Sequence, residues 1–353
     1  MGGPAVGVST RDEARETLRA VAVRPGWVVL AVLVVPFLLG LSVPPALQYV
    51  PLAASVAVLG LPHGAVDHLA VERARGESPT YRGMARVGVL YALLGGAYLA
   101  LWYLVPVLAF VLFIAITWAH WGQGDVYALV AIEQVSHLRT RAQRALAAAV
   151  RGGLPMLVPL VSYPGQYREV AALLVGRFGV TAADLAPLFA AETRLALGGG
   201  FAALTLVALA VGARRGDGLT DLGWRVDALE TGLLWAFFLA VPPVLAIGVY
   251  FPLWHSVRHI ARLALVDPRA AGALSRGDWR AALARFARDA APLTAVSLVF
   301  LGGFYLLVPV RPTGLPETVG LYLVLIAVLT LPHVVVVSLM DRAESVWSVG
   351  SGG

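Results

Sequence analysis

Between Val319 and Leu339 the chain carries no charged side chain, and the same is true of Trp27–Val43, Ala46–Leu61, Val87–Leu104, Val105–Trp121, Leu195–Val211 and Leu293–Val310. Two further stretches, Ala145–Val161 and Leu229–Tyr250, are nearly as apolar. Several of them approach the ~20 apolar residues that cross a hydrocarbon core. A soluble chain carries about a quarter charged residues, whereas this one is 59% hydrophobic and only 14% charged. The expected fold is therefore all-α: a polytopic transmembrane helical bundle of about nine spans (range about 8–10) with short interfacial helices. The links at Pro44–Pro45 and Val105–Pro106 are short and uncharged, which implies antiparallel neighbours.

Three regions follow from this pattern: a lead-in over residues 1–26, one integral-membrane domain over 27–341, and a flexible tail over 342–353. The basic residues of the lead-in, of Glu72–Arg86 and of Arg139–Arg144 place these segments, and the N-terminus, on the cytoplasmic side of the cell membrane. Arg262–Arg288 is also basic, yet a simple count of crossings puts it on the opposite side. A break at Pro242–Pro243 or Pro252 in the seventh stretch would restore the parity. Gln166–Ala190 and Ala270–Asp289 have mixed polarity and read as interfacial helices or caps.

Composition also excludes chemistry. The chain has no cysteine, so disulfides, thiolate nucleophiles and thiolate metal sites are absent. All of its 27 basic residues are arginine, and without lysine no Schiff-base retinal can form. A net charge of +6 carried in loops between apolar segments points to topology signals and anionic lipid headgroups, not to nucleic acid.

The chemistry-bearing residues are histidines at the ends of apolar stretches. They occur in GLPHGAVDH (Gly60–His68), TWAHWGQGD (Thr117–Asp125) and FPLWHSVRH (Phe251–His259). An imidazole is costly to bury in a lipid-like setting unless something binds it, so three such placements point to a shared partner. His255 and His259, at i and i+4, share one face of a helix. His63 lies between Pro62 and Gly64, where regular helix is disturbed. Asp67 can orient the second nitrogen of a ligand, as carboxylates behind metal-bound histidines do, and His68 is assigned beside it. His120 stands between aromatics that an interfacial belt would also explain. His333, inside the last stretch after Pro332, reads as a neighbour of the site or as substrate-lining. His137 falls in an arginine-rich loop and reads as a solvated bystander. His63, His120, His255 and His259 together make an all-nitrogen set that suits iron, copper or zinc.

These strings, together with LPHVVV from Leu331, resemble the Brp/Blh family, the bacteriorhodopsin-related membrane β-carotene 15,15′-dioxygenases of archaea and bacteria. The resemblance runs from about Ala46 to Leu339. It implies cleavage of the central double bond of β-carotene with O₂ to two all-trans-retinal, with Fe(II) held by His63, His120, His255 and His259. It further implies β-carotene drawn from the lipid bilayer and a retinal-binding opsin as a possible downstream recipient. Trp118, Trp121, Tyr250, Phe251 and Trp254 are candidates to line a carotenoid tunnel, although bundle packing explains each of them singly. Other readings are a second kind of membrane non-haem iron oxygenase or desaturase, a bis-histidine haem protein, and a transporter using histidine proton relays. The desaturase reading needs more HxxxH and HxxHH boxes than the chain has, and the haem reading needs histidines near mid-span.

Overall fold

A computed structural model describes residues 8–215 and 218–348. Among them there is no strand, and seven helices are long and apolar enough to cross a membrane: Ser9–Leu38, Tyr81–Leu104, Pro106–Ile132, Arg141–Ser162, Ala191–Arg214, Trp279–Leu307 and Leu315–Ala343. Their ends follow from local chemistry. Thr80 caps the Tyr81 helix by accepting from Gly83 N, Thr140 and Gln143 form a capping box on the Arg141 helix, and Asp278 accepts from Ala281 N. Val105 alone links two helices, because Pro106 both stops the first and suits the opening turn of the second.

The nine expected stretches thus resolve into seven continuous helices and two broken ones. Ala46–Leu61 splits into the short helices Pro45–Gln48 and Val50–Ala54, then turns, then a 3-10 turn at Leu61–Gly64. Proline at 45 and 51 and the left-handed Leu59 (φ 62°) break the helical path. The stretch is enclosed only in part: Leu52, Ser55 and Leu61 are buried, whereas Leu47, Val50 and Val58 are exposed. Gly248 lets the chain pass so close that a Cβ there would meet Leu52 N at 2.7 Å. The second break falls where the Pro242–Pro243 pair predicts it. Leu222–Ala240 ends in extended backbone at Val241, and Pro243–Tyr250 then runs through a π-helical turn, Phe251–Ser256, into Val257–Val266.

That break settles the arginine-rich segment. Thr17 Oγ1 donates to Leu274 O at 2.9 Å, Arg73 reaches Asp289 at 2.7 Å, Arg19 reaches Gln134 at 3.0 Å, and Arg141 reaches Trp347 O at 3.0 Å. The lead-in, the loops after Glu72 and before Arg141, the segment after Arg262 and the chain's end therefore meet at one end of the bundle. Over residues 8–26 the lead-in is helical and continuous with the first span; residues 1–7 lie outside the described residues. Of the segment expected as a tail, residues 342–348 pack back on the fold, with Trp347 Nε1 donating to Asp341 at 2.6 Å; residues 349–353 lie outside the described residues.

Outward faces are apolar. Val32, Leu93, Leu206, Phe300 and Leu307 are all more than 60% exposed, which is costly in water and natural against lipid tails. Inside, the Pro106–Ile132 and Arg141–Ser162 helices pack backbone to backbone. A Cβ on Gly122 would run into Ala148 O, and one on Gly152 into Trp118 O. This approach places the turn carrying His120 in the protein interior.

Candidate metal centre

The 3-10 turn at Leu61–Gly64 presents His63, which is buried. Its Nδ1–H donates to the Gly60 carbonyl. A carbonyl can only accept, so the lone pair of this imidazole is on Nε2. His120 projects from the Pro106–Tyr127 helix and His255 from the π-helical turn, and their Nε2 atoms lie 3.1 Å apart. His259 follows one turn after His255, its Nε2 buried without a hydrogen-bond partner. The four histidines from three separate chain segments therefore come together. Ring centroids are 4.7 Å apart for His120–His255, 5.4 Å for His63–His255 and 5.6 Å for His63–His259.

His333 stands in the same group. Its ring centroid is 4.7 Å from His120, 5.0 Å from His259 and 5.1 Å from His63. Asp67, on the first turn of the Asp67–Ala74 helix, accepts from His333 Nδ1 at 2.7 Å and from Tyr91 OH at 2.5 Å. Asp67 thus orients His333 and not one of the four histidines singled out from their motifs. His68 is outside the group: it is half-buried, its Nδ1 donates to Ala65 O at 3.2 Å, and burial pushes it below the usual histidine range.

Can these residues hold a metal? One nitrogen each of His63, His120 and His255 lie within 4.8 Å of one another, as do a nitrogen each of His259 and His333 with an oxygen of Asp67. Nitrogens that share an ion at about 2.1 Å each are on the order of 3 Å apart, which matches the His120–His255 spacing. Buried polar atoms are otherwise almost always paired. Here His259 Nε2 and His333 Nε2 are not. The donor set fits a borderline cation such as iron.

A buried ion network behind the group holds it in register, and the motif reading missed it. Trp254 and Arg258 lie on the face of their helix next to His255 and His259. Trp254 Nε1 donates to Asp125 at 3.1 Å, Arg258 pairs with Asp125 at 3.4 Å and with Glu230, and the Arg258 guanidinium stacks over Trp254 at 3.8 Å. Arg151 bridges Glu230 at 2.7 Å and Asp227 at 3.0 Å, and Trp27 Nε1 donates to Glu230 at 2.6 Å. One turn on, Arg262 pairs with Asp341 at 2.8 Å and Glu344 at 2.6 Å, while Gln123 donates to Asp341 at 2.7 Å. The helices bearing His120, His255, His259 and His333 are thereby cross-linked to one another. The signal was present in the sequence: Arg151 and Glu230 are lone charges in apolar stretches, where an ionisable residue is rarely without a partner. His137 needs correcting on the same ground. It is 1% exposed, not solvated, and pairs with Asp227 at 3.0 Å, because the network needs a further donor at that carboxylate.

A cavity of about 1190 Å³ opens on one side of the imidazole group. His63, His120 and His333 form part of its wall, with Asp67, His68 and Trp121 beside them. The rest is almost wholly apolar, with Phe110, Phe113, Leu323 and Ile326 among the lining residues. Of the aromatics proposed for a tunnel, Trp121 and Phe251 line this cavity. Tyr250 and Trp254 are buried in the packed core, and Trp118 is tied to Ala149 O at 2.7 Å.

A family profile described as beta-carotene 15,15'-dioxygenase matches residues 54–341. The chain is 50% identical over 333 residues to the probable beta-carotene 15,15'-dioxygenase Blh of Halobacterium salinarum, covering 94% of this chain and 96% of that protein. It is 33% identical over 326 residues to the probable beta-carotene 15,15'-dioxygenase Brp of the same species, covering 88% of each. No solved structure matches the chain.

Proposed function

The chain belongs to the β-carotene 15,15′-dioxygenase family, and from that premise we propose that it cleaves the central 15,15′ double bond of β-carotene with O₂, giving two all-trans-retinal, at an iron(II) held by His63, His120, His255 and His259. The observation that carries this reading is the convergence of buried imidazoles on the wall of one large apolar cavity.

Each part of the site then has a task. The apolar lining takes up a long hydrocarbon without requiring any polar group to lose water unpaired. His63 and His120 lie on the cavity wall, whereas His255 and His259 lie behind it, so the centre sits between the substrate and the ion network. Bound iron(II) supplies the redox capacity through which O₂ reacts with an unactivated polyene. The protein's own contribution is positional: it holds the middle of a symmetrical rod against the imidazoles, so both halves leave as equal products. Aromatic packing by Trp121 and Phe251, with rings 6.0 Å apart and stacked, keeps water from the imidazole group.

The substrate dissolves in lipid, which accords with a chain whose helices present apolar faces outward. In the proposed topology the arginine-rich end of the bundle, with the N-terminus, faces the cytoplasm of a cell membrane. Retinal leaves as an apolar aldehyde, and a retinal-binding opsin is a chemically suitable recipient.

Expression in β-carotene-accumulating cells tests the reading. Loss of colour with extractable retinal is expected; persistent carotene alongside folded, iron-loaded protein would overturn it.

A further inference from the structure

His333 lies 266 positions from Asp67 and belongs to none of the motifs that carry the four proposed ligands. We propose that His333 is a fifth metal-binding imidazole, held for that task by Asp67 and Tyr91; this rests on the reading of the site as an iron centre.

The hydrogen-bond directions make the case. The Tyr91 hydroxyl and His333 Nδ1–H both donate to Asp67 Oδ2, at 2.5 and 2.7 Å. His333 is therefore the Nδ1–H tautomer, with its lone pair on Nε2. That nitrogen is buried and has no partner, on a residue only 5% exposed. It belongs to a ring whose centroid is within about 5 Å of three of the four other imidazoles. A carboxylate behind the Nδ1–H of a histidine is the usual support of a metal ligand, because it fixes the tautomer and raises the basicity of Nε2.

Charge points the same way. Other buried carboxylates, such as Glu230 and Asp341, are paired with arginine, whereas Asp67 faces the imidazole of His333 and no arginine among the described residues is paired with it. The second oxygen, Oδ1, is buried without a hydrogen-bond partner. A dication at the imidazole group compensates this carboxylate through His333 without an intervening arginine. The turn carrying His63 packs against this ring: a Cβ on Gly64 would stand in van der Waals contact with His333 Nδ1, at 3.4 Å.

The test is anaerobic Fe(II) binding by the detergent-solubilised full chain, with thermal melting of each metal-free variant as the check on folding. H333A and D67N are expected to bind iron about 10- to 100-fold more weakly, and added imidazole to restore binding to H333G. Y91F, which removes one hydroxyl, is expected to weaken binding severalfold and keeps the test open if H333A does not fold. Wild-type iron affinity in H333A or Y91F, or no response of H333G to imidazole, overturns the assignment. So does a stoichiometry of two irons per chain, because His259, His333 and Asp67 then belong to a second site. H255A separates the two claims. If H255A loses iron while H333A keeps it, only the fifth ligand fails; if both keep it, the iron centre itself is misplaced.

Discussion

The Nε2 atoms of His120 and His255 face each other across 3.1 Å, though 135 residues separate them in the chain. Two buried imidazoles that each aim a nitrogen at the other either share one proton or share one ion. Unpaired nitrogens on the neighbouring His259 and His333 favour the ion. The proposed centre is thus a meeting of the 3-10 turn of His63, the π-helical turn of His255 and the proline-containing last helix of His333. Irregular helix at membrane depth is found where it is enclosed by protein and serves a site.

The ion network behind the imidazoles predicts a loss of stability distinct from a loss of metal ligands. Glu230 is fully buried and receives Arg151, Arg258 and Trp27. Glu230→Gln breaks a buried ion pair with each of Arg151 and Arg258, leaving them only Asp125 and Asp227, and should cost about 3–5 kcal/mol. Thermal melting of the metal-free protein in detergent reads this; a melting temperature within a degree of the wild type would contradict it.

A change on the cavity wall should separate substrate binding from metal binding. Gly96 lines the cavity, and a Cβ there meets nothing within 4 Å. Gly96→Phe puts a ring where the hydrocarbon has to lie. Iron content should stay at the wild-type level while retinal formation falls at least about tenfold, roughly 1.4 kcal/mol of lost transition-state stabilisation. Unchanged turnover would mean that the substrate lies elsewhere.

Close helix contact predicts a third effect. Gly152→Ala would force a methyl against Trp118 O, and overpacking of this kind costs about 1–3 kcal/mol. Gly165→Ala is the control, since nothing lies within 4 Å of its Cβ position. The first should lower the melting temperature and the second should not; equal melting of the two would show that the helices are free to separate.

His137 offers a histidine outside the centre. His137→Ala removes one partner of the buried Asp227 and should cost about 1–3 kcal/mol of stability. Iron per chain, measured by atomic absorption, should remain at the wild-type value. Loss of iron in this variant would mean that the network, and not the imidazoles alone, controls metal binding.

Much of this was legible in the sequence for physical reasons. Charge-free runs announce helices that face lipid, and Pro242–Pro243 marks the break that brings Arg262–Arg288 to the same end of the bundle as the lead-in. The HxxxH spacing of His255 and His259 puts two imidazoles on one face. Other features depend on contacts between segments far apart in the chain. His333 reads as a neighbour of the site from its place after Pro332, but its pairing with Asp67 is not legible, because 266 positions separate the two. His137 looked solvated because the arginines around it are easily taken for a loop. Ala46–Leu61 is not one continuous helix, because hydropathy counts residues but proline and Leu59 decide the path.

The central claim is that β-carotene is cut at its middle at an iron(II) held by His63, His120, His255 and His259. Purified, metal-free protein reconstituted anaerobically with Fe(II), given β-carotene and then O₂, tests it by chromatography of the products. The account predicts two retinal molecules per β-carotene consumed with the wild type, and neither bound iron nor retinal with H63A, H120A, H255A or H259A, each still folded. Retinal formed by the iron-free protein, by any of these four variants, or accompanied by products of unequal length would contradict it.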